Sequence, residues 1–189
     1  MARLIKAAGR IELRPAVEDH FAALVRSIMY QQLAGAAAST IHGRFLKLFK
    51  KRLSPAAVLA LPEGIMRTAG VSGAKAAAIT DLARKVKDGT VPLDAVDSFS
   101  DTELIAHLVQ VRGIGPWTAE MFLIFQLRRL DVWPVGDYGI RKGYALAYGL
   151  SRMPTPKRLD MEGERFRPYR TVAAWYCWQA VRERRKLRK

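Results

Sequence analysis

The chain has 189 residues, half of them hydrophobic, which is enough for one substantial core, or for two small lobes sharing one, and too apolar for a disordered tail. A formal net charge of +15 argues for a polyanionic partner, nucleic acid ahead of an anionic membrane surface. There is no long apolar run and no signal-peptide pattern, and the single cysteine, Cys177, excludes an internal disulfide and any four-cysteine zinc or iron–sulfur site.

Residues 1–15 are basic and apolar and close at Pro15. Glu18 or Asp19 then starts a helix in which Phe21, Leu24, Val25, Ile28 and Met29 repeat at i, i+3, i+4, i+7 and i+8, a core-facing stripe. It ends in Tyr30-Gln31-Gln32-Leu33-Ala34-Gly35, where the glutamines read most simply as a solvated terminus. A helix is expected over 36–49, small residues first and Ile41, Phe45, Leu48 and Phe49 later, with Lys47, Lys50, Lys51 and Arg52 as its solvated end. Ser54-Pro55 makes an N-cap and first-position pair for a short helix to Leu61. The stretch Ala69-Gly70-Val71-Ser72-Gly73-Ala74-Lys75 opens a helix with Ile79, Leu82 and Val86 on one face and Gly89 as its C-cap. Its Gly/Ser-rich start with Lys75 suits either a phosphate or a plain interhelical turn. An irregular connection over 90–98 follows.

The stretch 108–142 organises the chain. Ser100 and Glu103 form a capping box for a helix carrying Leu104, Ile105 and Leu108. The turn Val111-Arg112-Gly113-Ile114-Gly115-Pro116 has two glycines that allow a tight reversal and a proline suited to a helix start. Amides at such a turn and helix start hold a phosphate without a charged side chain. A helix over 118–130 brings Met121, Phe122 and Phe125, followed by Trp133, Pro134, Asp137 and a helix over 138–150 with Arg141 and Lys142 on its first turns. Pro154 and Pro156 mark 151–167 as a loop with at most a short helix. The last helix, over 169–183, holds Trp175, Tyr176 and Trp178 before the basic tail RERRKLRK. No solenoid repeat and no β-rich window occurs, so the expected class is all-α. From the residues alone the centre is an αα-hairpin with a glycine turn, and Asp137 is an N-cap. His20, His42 and His107 show no metal-ligand spacing.

The order LVQVRGIGPWTAEMF followed by VGDYGIRK resembles the helix-hairpin-helix (HhH-GPD) DNA glycosylase superfamily, and Trp117-Thr118-Ala119 with Asp137-Tyr138 is most similar to its 3-methyladenine DNA glycosylase II branch. The likeness also touches 21–38, 71–83 and 168–178. It implies a two-lobed helical fold with the active-site cleft between lobes and no N-terminal β domain. One lobe would span about 21–130, including the hairpin 108–121, and the other about 131–189 with segment 1–20.

The resemblance further implies a monofunctional DNA glycosylase that flips out alkylated purines of the 3-methyladenine and 7-methylguanine type and hydrolyses the glycosidic bond. Asp137 would be the catalytic carboxylate, stabilising positive charge on the sugar and orienting or deprotonating water, and N-capping would fix its orientation. Trp117, Tyr138, Trp178 and Met121 would form the base pocket, although Met121 stands where some relatives place an aromatic ring. Gly113, Gly115, Thr118, Lys75 and Arg141 would meet the DNA backbone. Gln32 or Leu33 would enter the duplex, Gln32 standing where some relatives have an apolar wedge. Carbonyls of Val109, Val111 and Gly113 would bind a structural Na+ or K+. In bifunctional relatives a lysine stands two places after the second hairpin glycine; Trp117 there implies no lyase activity. No cofactor is required and no iron–sulfur cluster is expected. The partner would be double-stranded DNA with alkylated bases rather than a membrane, and the protein a cytoplasmic, nucleoid-associated monomer. The alternatives are a non-catalytic duplex-binding hairpin module and a glycosylase for oxidised or mismatched bases.

Overall fold

A computed structural model describes residues 5–6, 8–11 and 16–186. These divide into two compact units, one of Ala16–Phe122 and one of 123–186 with the described part of the N-terminal segment. The boundary falls inside a helix rather than after Leu130. Every element among the described residues is helical, and no strand occurs.

In the 16–122 unit, α1 (His20–Tyr30) starts where the Asp19 carboxylate accepts the Ala22 amide at 2.8 Å, and Arg52 pairs with the same carboxylate at 2.7 Å. The expected stripe Phe21, Leu24, Val25, Ile28 and Met29 is buried throughout. Helix α2 (Gly35–Leu46) stops three residues earlier than the pattern suggested and buries Ala38, His42 and Phe45. Ser54 caps α3 (Pro55–Leu59), with Pro55 at its start. A one-turn helix, α4 (Ile65–Thr68), carried no signal of its own. Ser72 caps α5 (Gly73–Lys87), whose buried face is Ala78, Ile79, Leu82 and Ala83; Val86 is only half-buried. The expected irregular connection is a 3-10 segment, Leu93–Ser98. The capping box forms as expected at α6 (Asp101–Leu108), with Ser100 and Glu103 bonding reciprocally.

Helix α7 (Pro116–Phe125) ends short of the predicted 130 because Arg128 adopts φ 57°, which turns the Arg129 amide back onto the Leu123 carbonyl at 2.9 Å. In the other unit, α8 (Tyr138–Tyr148) closes on Gly149 at φ 65°. The stretch 151–167, expected to be a loop with at most a short helix, holds the eight-residue α9 (Pro156–Gly163), followed by a 3-10 turn, Glu164–Phe166. Its prolines do not break it, since Thr155 is the N-cap and Pro156 the first helical residue, where no N–H is needed. Helix α10 (Arg170–Lys186) runs past the expected Glu183, and residues 187–189 of the basic tail lie outside the described residues.

The core of this unit gathers Trp133, Ile140, Tyr144, Leu159, Ala173, Ala174 and Cys177. The Trp133 indole N–H is satisfied by the Leu159 carbonyl at 2.9 Å. Burial pushes the Cys177 thiol up to about 12, which leaves it an inert packing group. Helices α8 and α10 touch at backbone distance: a Cβ on Gly143 would sit 1.8 Å from the Cys177 carbonyl oxygen.

Asp131 ties the segment after α7 to the start of α10, receiving Arg170 Nε at 2.9 Å and Arg167 at 2.6 Å. Partial burial would raise its carboxyl, but hydrogen bonds and charge from Arg170, with Arg167, hold it below the usual carboxylate range. A depressed folded-state value stabilises above the unfolded value, about 3.9, and is lost as pH falls through the folded one. Asp131→Asn is therefore expected to lower stability by about 1 kcal/mol near neutrality, with the gap to the parent closing as pH falls below the unfolded value of about 3.9, as read by urea unfolding across that range.

Candidate functional site

Two groups of side chains stand out, one in each unit. In the 123–186 unit, Asp137 follows a turn closed by its own amide on the Pro134 carbonyl at 3.0 Å, and it caps α8. Its Oδ1 accepts the Ile140 amide at 2.7 Å and the Trp178 indole N–H at 3.0 Å. With 9% of its surface exposed, the carboxylate is aimed by two donors from different helices. Gly139 makes room for this: a Cβ there would meet Trp178 Cδ1 at 2.8 Å and Asp137 Oδ1 at 3.0 Å.

Around the carboxylate, Trp178 stacks on Phe125 with ring centroids 5.8 Å apart and planes 24° from parallel. Phe125 is half exposed, and Tyr138, next to Asp137 in the chain, is 60% exposed with the Lys142 ammonium 5.4 Å from its ring centre. A held carboxylate beside a stacked aromatic pair can stabilise developing positive charge while π faces receive a flat, electron-poor ring.

In the 16–122 unit the hairpin joins α6 to α7 as the spacing predicted. Val111 and Ile114 anchor it in the core, and Gly113 takes φ 78°, open to a residue without a side chain. Asp81 Oδ2 fixes the turn from α5 by accepting the Arg112 amide at 2.8 Å and the Lys85 ammonium at 2.9 Å. From the end of α1, Gln31 Nε2 donates to the Gly113 carbonyl at 3.0 Å and to Thr118 Oγ1 at 3.4 Å. The next residue, Gln32, is exposed and left-handed at φ 56°.

Residues 25–168 match the profile of the HhH-GPD superfamily of base excision DNA repair proteins. The chain belongs to this superfamily. It is 35% identical over 182 residues to DNA-3-methyladenine glycosylase 1 of Schizosaccharomyces pombe, covering 94% of this chain and 80% of that protein. The crystal structure of a Bacillus halodurans DNA-3-methyladenine glycosidase superposes with a TM-score of 0.88 at 37% identity, covering 95% of this chain and 82% of that one. The S. pombe 3-methyladenine DNA glycosylase in complex with abasic DNA superposes with a TM-score of 0.79 at 34% identity, covering 94% and 89%.

The HhH-GPD chain places its expected site residues unevenly. Asp137 and Trp178 touch directly, and Tyr138 is exposed beside them in sequence. Trp117 is half exposed at the start of α7, and Met121 is half-buried one turn on. Two cations expected at the DNA backbone also make contacts within the fold. The Lys75 ammonium donates to the carbonyls of Met29 at 2.7 Å and Gln31 at 2.9 Å, neutralising the negative end of the α1 dipole, and its pKa is lowered by desolvation. Arg141 Nε donates to the Pro154 carbonyl at 2.9 Å. Thr118 is buried, and its hydroxyl faces Gln31 rather than open solvent.

Of the three carbonyls expected to hold a cation, that of Val111 accepts the Ile114 amide at 3.0 Å and that of Gly113 accepts Gln31, each keeping a second lone pair. Leu33 is exposed alongside Gln32. Two residues were missed. Phe125 reads as core in a sequence because its helix is apolar all round; only its spacing of four from Met121 hinted at a shared face. Gln31 was taken with Gln32 as a solvated end, and its partners lie 82 and 87 residues away.

Proposed function

We propose that this HhH-GPD protein is a monofunctional DNA glycosylase that extrudes alkylated purines of the 3-methyladenine and 7-methylguanine type from duplex DNA and hydrolyses their glycosidic bond. The observation that carries the reading is the Asp137 carboxylate, aimed by Trp178 Nε1 and the Ile140 amide beside a stacked indole–phenyl pair. The names of the relatives, 3-methyladenine glycosylases over most of their length, point the same way.

In this mechanism the target nucleotide leaves the stack, because C1′ is out of reach within it. The cationic alkylated base is attracted to the π faces of Trp178, Phe125 and Tyr138, worth roughly 0.5–2 kcal/mol. As the C1′–N bond lengthens, its electron pair goes to the base, which departs neutral, while positive charge builds on the sugar opposite Asp137. Water then adds to C1′ and loses its proton to the carboxylate or to solvent, leaving an abasic site. Methylation has already weakened the bond, so a permissive aromatic slot suffices. Amides around Gly113 and Gly115 grip a phosphate. A Na+ or K+ held by the carbonyls of Val109, Val111 and Gly113 would reinforce that grip, and no redox or organic cofactor is required. The protein would act as a monomer on double-stranded DNA in the cytoplasm.

Trp117, where a lyase would carry a lysine, supplies no amine to attack C1′. A duplex with one 7-methylguanine is accordingly expected to release free base while the strand stays whole until hot alkali is added, as followed on a denaturing gel. Scission without alkali would remove the monofunctional reading, and binding without release would remove the enzyme.

A further inference from the structure

The segment after α1 is held more firmly than a solvated helix end needs to be. Gln31 is fastened at both ends of the residue. Its side-chain amide donates to the Gly113 carbonyl at 3.0 Å and Thr118 Oγ1 at 3.4 Å, and its own carbonyl accepts the Lys75 ammonium at 2.9 Å. Lys75 also holds Met29, two residues back, at 2.7 Å. The α1 terminus is thus tied to α5 through one side chain and to the hairpin through another.

The residue that follows is Gln32, a non-glycine residue at φ 56° with an exposed side chain. A left-handed backbone is costly for such a residue and persists where the surroundings fix it. The bonds to Gln31 are what fix it here, since the backbone bond beyond the bend, Leu33 N to Tyr30 O, is long at 3.5 Å. Gly113, the acceptor of the Gln31 amide, lies in the turn whose amides suit a phosphate. One carboxamide therefore joins a phosphate-binding turn to a strained, outward-pointing residue.

We propose that Gln31 is a positioning residue that couples the hairpin's hold on the DNA backbone to entry of Gln32 into the duplex, with Lys75 as its second anchor. This rests on the glycosylase reading, in which residue 32 fills the space left by the extruded nucleotide. The hairpin sets where the backbone lies, and the Gln31 amide carries that register to residue 32. Removing the amide leaves the hairpin N–H groups in place, because Gln31 touches a carbonyl of the turn and not its donors. Grip and entry should therefore separate.

The test needs no catalysis. A duplex carries a tetrahydrofuran abasic analogue with 2-aminopurine next to the orphan base; a side chain entering the gap changes its fluorescence. Affinity is measured on this duplex and on an undamaged one, with thermal unfolding recorded for each protein. Gln31→Ala is expected to bind undamaged duplex within about twofold of the parent and to lose most of the fluorescence change. Gln31→Glu, of the same size but with an acceptor where the donor was, should lose it as well, and Gln32→Ala should match both. The double variant Gln31→Ala/Gln32→Ala should be no worse than Gln32→Ala, because the two act as one unit. Additive losses, an unchanged signal in Gln31→Ala, or equal loss on both duplexes accompanied by a lowered melting temperature would overturn the coupling. A parent protein that binds the abasic duplex with no fluorescence change overturns it too, while the separate base-release assay still judges the glycosylase reading.

Discussion

Asp137→Asn is expected to leave a folded, DNA-binding protein that releases 7-methylguanine at least about a thousandfold more slowly in single-turnover assays, equivalent to roughly 4 kcal/mol of lost transition-state stabilisation. The substitution isolates charge from structure. Asparagine is as good an N-cap as aspartate, and its amide oxygen can still accept the Ile140 amide and the Trp178 indole N–H. Volume is conserved, so α8 and the Phe125–Trp178 stack should persist, and the melting temperature should move little. What disappears is the negative charge facing the sugar as the C1′–N bond breaks. A variant within tenfold of the parent would mean that Asp137 is a cap and nothing more, and the carboxylate mechanism would fall.

Gly143→Ala should instead damage the fold. The added Cβ would lie 1.8 Å from the Cys177 carbonyl oxygen and 2.4 Å from its carbonyl carbon, and both are backbone atoms that cannot rotate away. Helices α8 and α10 must part by more than an ångström, opening the core around Ile140, Tyr144 and Ala174. Overpacking of this kind costs about 3 kcal/mol or more, which in a chain of this size corresponds to a fall of roughly 10 °C in Tm. Calorimetry of the purified variant reads the effect directly. A drop of under about 2 °C would show that the interface yields cheaply, and the close approach would lose its structural weight.

These expectations show what kinds of information the sequence carries. Local signals were legible: the α1 stripe, the Ser54 and Ser100 caps, the glycine turn and the cap role of Asp137 all depend on residues within a few positions of one another. The bounds of the short helix α9 were not legible because Pro154 and Pro156 were weighed as breakers, when one precedes the Thr155 cap and the other starts the helix. Helix ends slipped by a few residues where a left-handed residue without a glycine, Arg128, stopped α7 early. Motif likeness singled out both Asp137 and Trp178, which touch, but not Phe125, whose stacking partner lies 53 positions on, since periodicity cannot separate a buried ring from an exposed one. The carbonyl partners of Lys75 and Arg141 were not legible, because a sequence shows charge without showing which carbonyls accept from it.

The Trp178 ring has two attachments, its face on Phe125 and its nitrogen on the Asp137 oxygen. A flat guest that tilts the ring strains its bond to that oxygen, which the Ile140 amide holds from the other side. Fit of the guest and aim of the negative charge are thus coupled through one hydrogen bond, and a poorly seated base would lose part of the carboxylate's support as well as stacking. Selectivity can arise from this coupling in addition to any direct reading of the base.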